Sequence, residues 1–130
     1  MAVWQERAEL LFKEEGLNNL KNSNVLIVGL GGVGSFAAEF IARAGVGKMT
    51  IVDGDTVDIT NINRQLPALH STVDQHKVDV VAARLMDINP ELELTKINEF
   101  LSPERTHEIV TPDFDYVLDC IDSVTPKVNL

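Results

Sequence analysis

Val25-Leu26-Ile27-Val28-Gly29-Leu30-Gly31-Gly32-Val33-Gly34 is the stretch on which the fold turns. Its first four residues are apolar and mostly β-branched, which suits a strand buried on both faces of a parallel sheet, where no solvent side imposes alternation. The glycine run follows at once, and Ser35 to Ala44 then reads as a helix ending near Gly45. Gly29 and Gly31 permit a tight turn and a close backbone approach to a ligand, while Gly34 lets helix and strand pack closely. The start of such a helix offers free N–H groups and a partial positive charge to phosphate. A second strand, Met49 to Val52, ends at Asp53, whose carboxylate can accept hydrogen bonds from ribose hydroxyls. Strand, glycine loop, helix, strand and acid in this order predict a nucleotide site. The bland alternative is a tight turn with no ligand, and the loop by itself does not decide between NAD and ATP.

Outward from this unit the chain keeps alternating. Leu10, Leu11, Leu17 and Leu20 recur at helical spacing among charged residues, predicting an amphipathic helix over 4–22 that Gly16 interrupts. Residues 54–74 lack periodicity and read as a long functional loop with one short helix. Val78, Val81, Ala82, Leu85 and Ile88 mark one face of a helix over 75–89, stopped by Pro90; Leu92 to Ile97 alternates as a strand. Ser102-Pro103 gives an N-cap and a proline at the first helical position, so a short helix should run to about Val110. Tyr116 to Ile121 is a further strand, again followed by an acid, Asp122. The expected fold class is α/β: a Rossmann-like three-layer fold with a mostly parallel sheet, truncated at the C-terminus, because a new helix begins as the chain stops.

Bulk properties exclude several classes. The chain has 130 residues, 45% apolar and 24% charged, enough for one domain with a real core. No apolar run is long enough to span a bilayer, and the N-terminus lacks a secretory signal core. Cys120 is the single cysteine, so neither an internal disulfide nor a multi-cysteine zinc site can form within the chain. Its place in a strand pattern predicts a core thiol rather than a nucleophile, and a reducing cytoplasm is the default compartment. A formal charge of −9 with no basic stripe gives no sign of a nucleic-acid surface in this stretch.

The polar segment after Asp53 carries Asn61 and Arg64, and Lys77 opens the third helix. Arginine makes forked hydrogen bonds to phosphate oxygens and lysine supplies a point charge; together they suit a triphosphate, which a hydride-transfer enzyme does not need. Asp122 lies just past the fourth strand, where ligands of open α/β sheets collect. Its carboxylate suits Mg²⁺, which typically takes one or two carboxylates plus phosphate oxygens. Taken singly, Arg64 and Lys77 are also ordinary surface charges, Asp122 a helix cap and Asn61 a loop stabiliser.

In combination, GLGGVG, IVDGDTVDITNINRQ, HKVDVVAARLMDINP and YVLDCIDS resemble the ubiquitin-activating-enzyme superfamily, in its bacterial ThiF/MoeB/HesA branch. The resemblance runs from about Arg7 to the end of the chain. It implies that Gly31 with its neighbours Gly29, Gly32 and Gly34 holds the ATP phosphates and that Asp53 binds ribose. It further implies that Asn61, Arg64 and Lys77 contact phosphates and that Asp122 coordinates Mg²⁺. Arg7 matches an arginine that the family supplies to the partner protomer's ATP site, so a homodimer is expected. The ending DCIDSVTPK looks most like members that dehydrate threonylcarbamoyladenosine in tRNA; carrier-activating members more often have Asp-Asn where this chain has Asp122-Ser123.

The expectation is therefore the N-terminal, ATP-binding part of an adenylating enzyme over 1–130, with a helical arm over about 4–22 and a nucleotide-binding core over about 24–130. ATP and Mg²⁺ are the expected cofactors and tRNA the expected substrate of the full-length enzyme. The alternative substrate is the C-terminal glycine of a ubiquitin-like sulfur carrier. An NAD-binding oxidoreductase and a non-catalytic nucleotide-binding module are the alternatives from other classes.

Overall fold

A computed structural model describes residues 2–121. The elements are α1 (Glu6–Lys21), β1 (Asn24–Val28), α2 (Gly32–Ala44), β2 (Lys48–Val52), α3 (Lys77–Ile88), β3 (Glu93–Ile97), α4 (Pro103–Ile109) and β4 (Tyr116–Asp119). The four strands form one sheet in the order β3-β2-β1-β4, every pair parallel. The chain therefore runs outward from β1 through β2 to β3 and returns to the other side of β1 with β4. This is the α/β, Rossmann-like arrangement expected.

β1 shows why an unbroken apolar run was needed. Val25 and Ile27 face a core with Ala38 and Ala42 of α2 and with Val78, Val81 and Leu85 of α3. Leu26 and Val28 face the opposite way, against Ile109 of α4, with Leu101 and Phe114 packed alongside. Alternate side chains thus enter different cores, and helices on both faces make three layers. The sheet edges are wetter: β3 and β4 are largely exposed or half-buried.

Local signals fix several element ends. Gly45 ends α2 with φ +99°, a left-handed C-cap that glycine adopts without steric cost. The Ser102 side chain accepts the Arg105 N–H and Pro103 occupies the first turn of α4, as its sequence requires. Buried Glu39 ties α2 to itself and to α3, accepting from Arg43 at 2.9 Å and from Arg84 at 3.0 Å. Burial alone pushes its carboxyl pKa up; the hydrogen bonds and charges of the two arginines outweigh that and hold it below the ordinary glutamate range.

Three local expectations are corrected. Gly16 does not break α1; the non-helical residue is Lys13, at φ 60°, ψ 176°, while Gly16 lies in the helix where an added Cβ would press on Phe12. The long loop carries two 3₁₀ turns, Ile59–Asn61 and His70–Thr72, rather than one short helix. β4 ends at Asp119, so Cys120 lies beyond the last ladder position rather than within the strand.

Candidate nucleotide-binding site

The C-terminal ends of β1, β2 and β4 open onto one cavity of about 230 Å³. Gly29, Gly31, Asp53, Gly54, Asp55 and Lys77 line it, with Glu99, Phe100 and Leu101 from the segment after β3 and Cys120 and Ile121 from beyond β4. The crevice lies where the strand order reverses, between β1 and β4, which is where open α/β sheets bind ligands.

The glycine loop is built by backbone crowding. Gly29 sits at φ +96°, and a Cβ there would lie 2.6 Å from the Cys120 carbonyl oxygen. A Cβ on Gly34 would be driven into the Gly29 carbonyl oxygen. Strand end, loop and helix start therefore approach closer than any side chain allows. Gly31, the N-cap of α2, lines the cavity, so the helix begins at its edge.

Asp53 shapes this loop as well as facing it. One carboxylate oxygen accepts the Leu30 N–H at 2.8 Å and the other accepts the Asp55 N–H at 2.7 Å. Each oxygen keeps a further acceptor position, which ribose hydroxyls can use.

The cationic residues behave differently. Lys77 is 5% exposed and lines the cavity, its ammonium 3.5 Å from Asp55. Arg64 is exposed, and its guanidinium donates to the Thr60 carbonyl at 3.2 Å and to the Asn63 side chain at 2.8 Å. Its backbone lies over α2's first turn, with its carbonyl oxygen 3.7 Å from where a Gly32 Cβ would stand. Asn61 is buried and uses its side-chain oxygen to accept the Asp58 N–H at 2.9 Å; like Arg64, it is not among the residues that line the cavity. Asp58 in turn caps the Ile59–Asn61 turn; hydrogen bonds from Thr60, and the nearby Lys77 charge, hold its carboxyl below the ordinary range.

Arg7 does not join these residues. It is exposed on α1, whose start lies at the opposite end of α2, where the Gln5 side chain abuts Gly45. Thirteen residues of α2 separate that end from the glycine loop, about 20 Å of helix. Asp122 lies outside the described residues. Among the described residues no three His, Cys, Asp or Glu side chains gather to hold a metal. Magnesium draws most of its shell from water and phosphate, so a single carboxylate with a nucleotide suffices for it.

A larger cavity, about 730 Å³, lies at the other end of the sheet, lined by Glu9, Glu14, Glu91 and Glu93 with Lys21. Its charge has the wrong sign for phosphate. Sequence reasoning missed Asp55, Glu99, Phe100, Leu101 and the cavity-facing position of Cys120. The doubly wound topology was the available signal, since it brings the ends of β3 and β4 to the glycine loop.

The ThiF family model matches residues 5–130. The chain is 52% identical over 124 residues to a tRNA threonylcarbamoyladenosine dehydratase of Bacillus subtilis, covering 95% of this chain and 49% of that protein. It is 43% identical over 116 residues to a molybdopterin-synthase adenylyltransferase of Haemophilus influenzae, covering 89% and 47%. The crystal structure of the Escherichia coli tRNA N6-threonylcarbamoyladenosine dehydratase in complex with ATP superposes with a TM-score of 0.94 at 39% identity, covering 100% of this chain and 55% of that one. The chain thus spans about half the length of the curated relatives it matches. No helix among the described residues is long and apolar enough to cross a membrane.

Proposed function

Since the chain belongs to the ThiF family, we propose that it forms the nucleotide-binding part of an enzyme that uses ATP to activate a carboxylate as its adenylate. The observation that carries this is the convergence of the α2 N-terminus, Asp53 and the buried ammonium of Lys77 on one cavity. A ribose acid and a phosphate cation flank a helix start that offers only N–H donors.

In the first step a substrate carboxylate oxygen bonds to the α-phosphorus of ATP, the bond from that phosphorus to the bridging oxygen breaks, and pyrophosphate leaves. The chain contributes position and charge. Asp53 holds the ribose, the α2 amides and Lys77 hold phosphate oxygens, and Arg64 and Asn61 are assigned to further phosphate contacts. Magnesium, held by Asp122, would draw charge from the phosphate oxygens.

The substrate we assign is threonylcarbamoyladenosine in tRNA. Its activated carboxyl is captured by the modification's own nitrogen, which closes a ring and releases AMP. The higher identity to the B. subtilis dehydratase than to the H. influenzae adenylyltransferase supports this over a sulfur-carrier protein. Such a substrate places the enzyme in the cytoplasm. A homodimer with Arg7 acting on the partner's site is supported by the distance of Arg7 from its own cavity. An exposed apolar stripe on α2 supports it too: Val33, Phe36 and Phe40, the two rings stacked at 6.1 Å.

The test supplies the full-length protein with ATP, magnesium and tRNA bearing threonylcarbamoyladenosine. AMP release and a nucleoside lighter by one water, read by mass spectrometry, are expected. An unchanged nucleoside, with ATP–pyrophosphate exchange appearing only when a Gly-Gly-ended carrier is added, would transfer the assignment to carrier activation. Calorimetric preference for NAD over ATP would overturn adenylation itself.

A further inference from the structure

Lys77 presents a problem that its nucleotide role does not solve. A 5%-exposed ammonium needs a negative charge beside it whenever no phosphate is bound. Among the described residues the ion partner is Asp55, and the two differ sharply: the Lys77 side chain is 6% exposed and that of Asp55 is 57%. At 3.5 Å the contact is a charge pair and not a short hydrogen bond, so it can be exchanged.

The backbone around the pair is clipped on both sides. The Asp55 N–H donates to Asp53, and its carbonyl accepts the Lys77 N–H at 3.0 Å. Thr56 pairs with His76 in an antiparallel bridge, and the Val57 N–H donates to Gln75 at 2.8 Å. The chain is fixed there, and one Asp55 carboxylate oxygen accepts the Thr56 N–H at 2.9 Å, so the carboxylate, mostly in solvent, offers only its other oxygen to Lys77, and that single longer contact is the one an anion can replace.

Resting on the ATP-binding reading above, we infer that Asp55 is a positioning residue, a counter-ion latch for Lys77. It holds the ammonium in place while no phosphate is bound and yields it to the polyphosphate of an incoming nucleotide, then recaptures it as pyrophosphate departs. Because the polyphosphate displaces a carboxylate, Asp55 weakens ATP and pyrophosphate relative to adenosine, which never reaches Lys77.

The experiment uses the full-length protein and measures ATP, pyrophosphate and adenosine binding by calorimetry for the parent, Asp55→Asn, Asp55→Glu, Lys77→Met and the Asp55→Asn/Lys77→Met pair. Asp55→Asn should bind ATP and pyrophosphate about fivefold tighter, the size of a partly exposed charge contact, with adenosine unchanged. Asp55→Glu should restore parental values, and in the Lys77→Met background Asp55→Asn should change nothing. Weaker ATP binding by Asp55→Asn, an equal shift for adenosine, or the same tightening without Lys77 overturns the latch. Should Asp55→Asn not fold, Asp55→Glu against Lys77→Met still decides: a glutamate that changes ATP affinity as much as loss of Lys77 overturns it. A parent protein that binds adenosine but no ATP would instead remove the nucleotide reading on which the latch rests.

Discussion

Replacing Asp53 separates a ligand contact from a structural clamp. Its two carboxylate oxygens accept the N–H of Leu30 at 2.8 Å and of Asp55 at 2.7 Å. A hydrogen bond to a charged group contributes about 1.5–3 kcal/mol when shielded from water. Asp53 is half-buried, so about 1–2 kcal/mol for each is the appropriate discount. Asp53→Ala removes both and strands the N–H of Leu30, a residue 0% exposed; the expected loss is about 2–4 kcal/mol. Asp53→Asn keeps one acceptor oxygen and sets an amide N–H₂ against the other N–H, for a loss of about 1–2 kcal/mol. Urea denaturation should show the midpoint falling in the order parent, Asn, Ala, with the slope unchanged because the surface exposed on unfolding is the same. ATP and adenosine should weaken together, since both need the ribose contact and the intact loop. An Asp53→Ala midpoint equal to the parent's, with adenosine still weakened, would mean that Asp53 only meets ribose and that the loop holds its shape without it.

Gly34→Ala should destabilise by about 3 kcal/mol, because its Cβ meets the Gly29 carbonyl and neither backbone can retreat; a thermal melt matching the parent's would contradict the close helix–strand approach. Glu39→Gln should cost about 1–3 kcal/mol at neutral pH. Because the folded-state pKa of Glu39 is depressed, its contribution is full above the ordinary glutamate range and fades as the pH falls through the lower folded value. The parent should therefore lose stability on acidification more steeply than Glu39→Gln, and parallel pH curves would refute this. Asp122→Ala should leave adenosine binding intact and impair only magnesium-dependent turnover; equal weakening of adenosine would remove Asp122 from the metal. Arg7→Ala should slow adenylation, and mixing it with Asp122→Ala should restore part of the activity through a heterodimer with one undamaged site, which a strictly monomeric active enzyme cannot do.

The sequence by itself determined whatever depends on near neighbours along the chain. The Val25–Val28 run announced a strand buried on both faces, Gly29 to Gly34 a strand–helix junction, Ser102-Pro103 the start of α4 and Gly45 the end of α2. Those features rest on backbone sterics, capping and periodicity, which act over a few residues. The helix break at Lys13 was not legible in that way, because the sequence there carries neither proline nor glycine. Only the tertiary structure decided which charges share the cavity. Lys77 proved buried against Asp55, whereas Arg64, equally cationic on paper, is exposed and bonded to its own turn. It likewise brought Cys120 and the Glu99–Leu101 segment to the glycine loop and set Arg7 at the far end of α2. Burial and electrostatic pairing depend on what lies across space, and the parallel crossovers that set those distances join residues far apart in the chain.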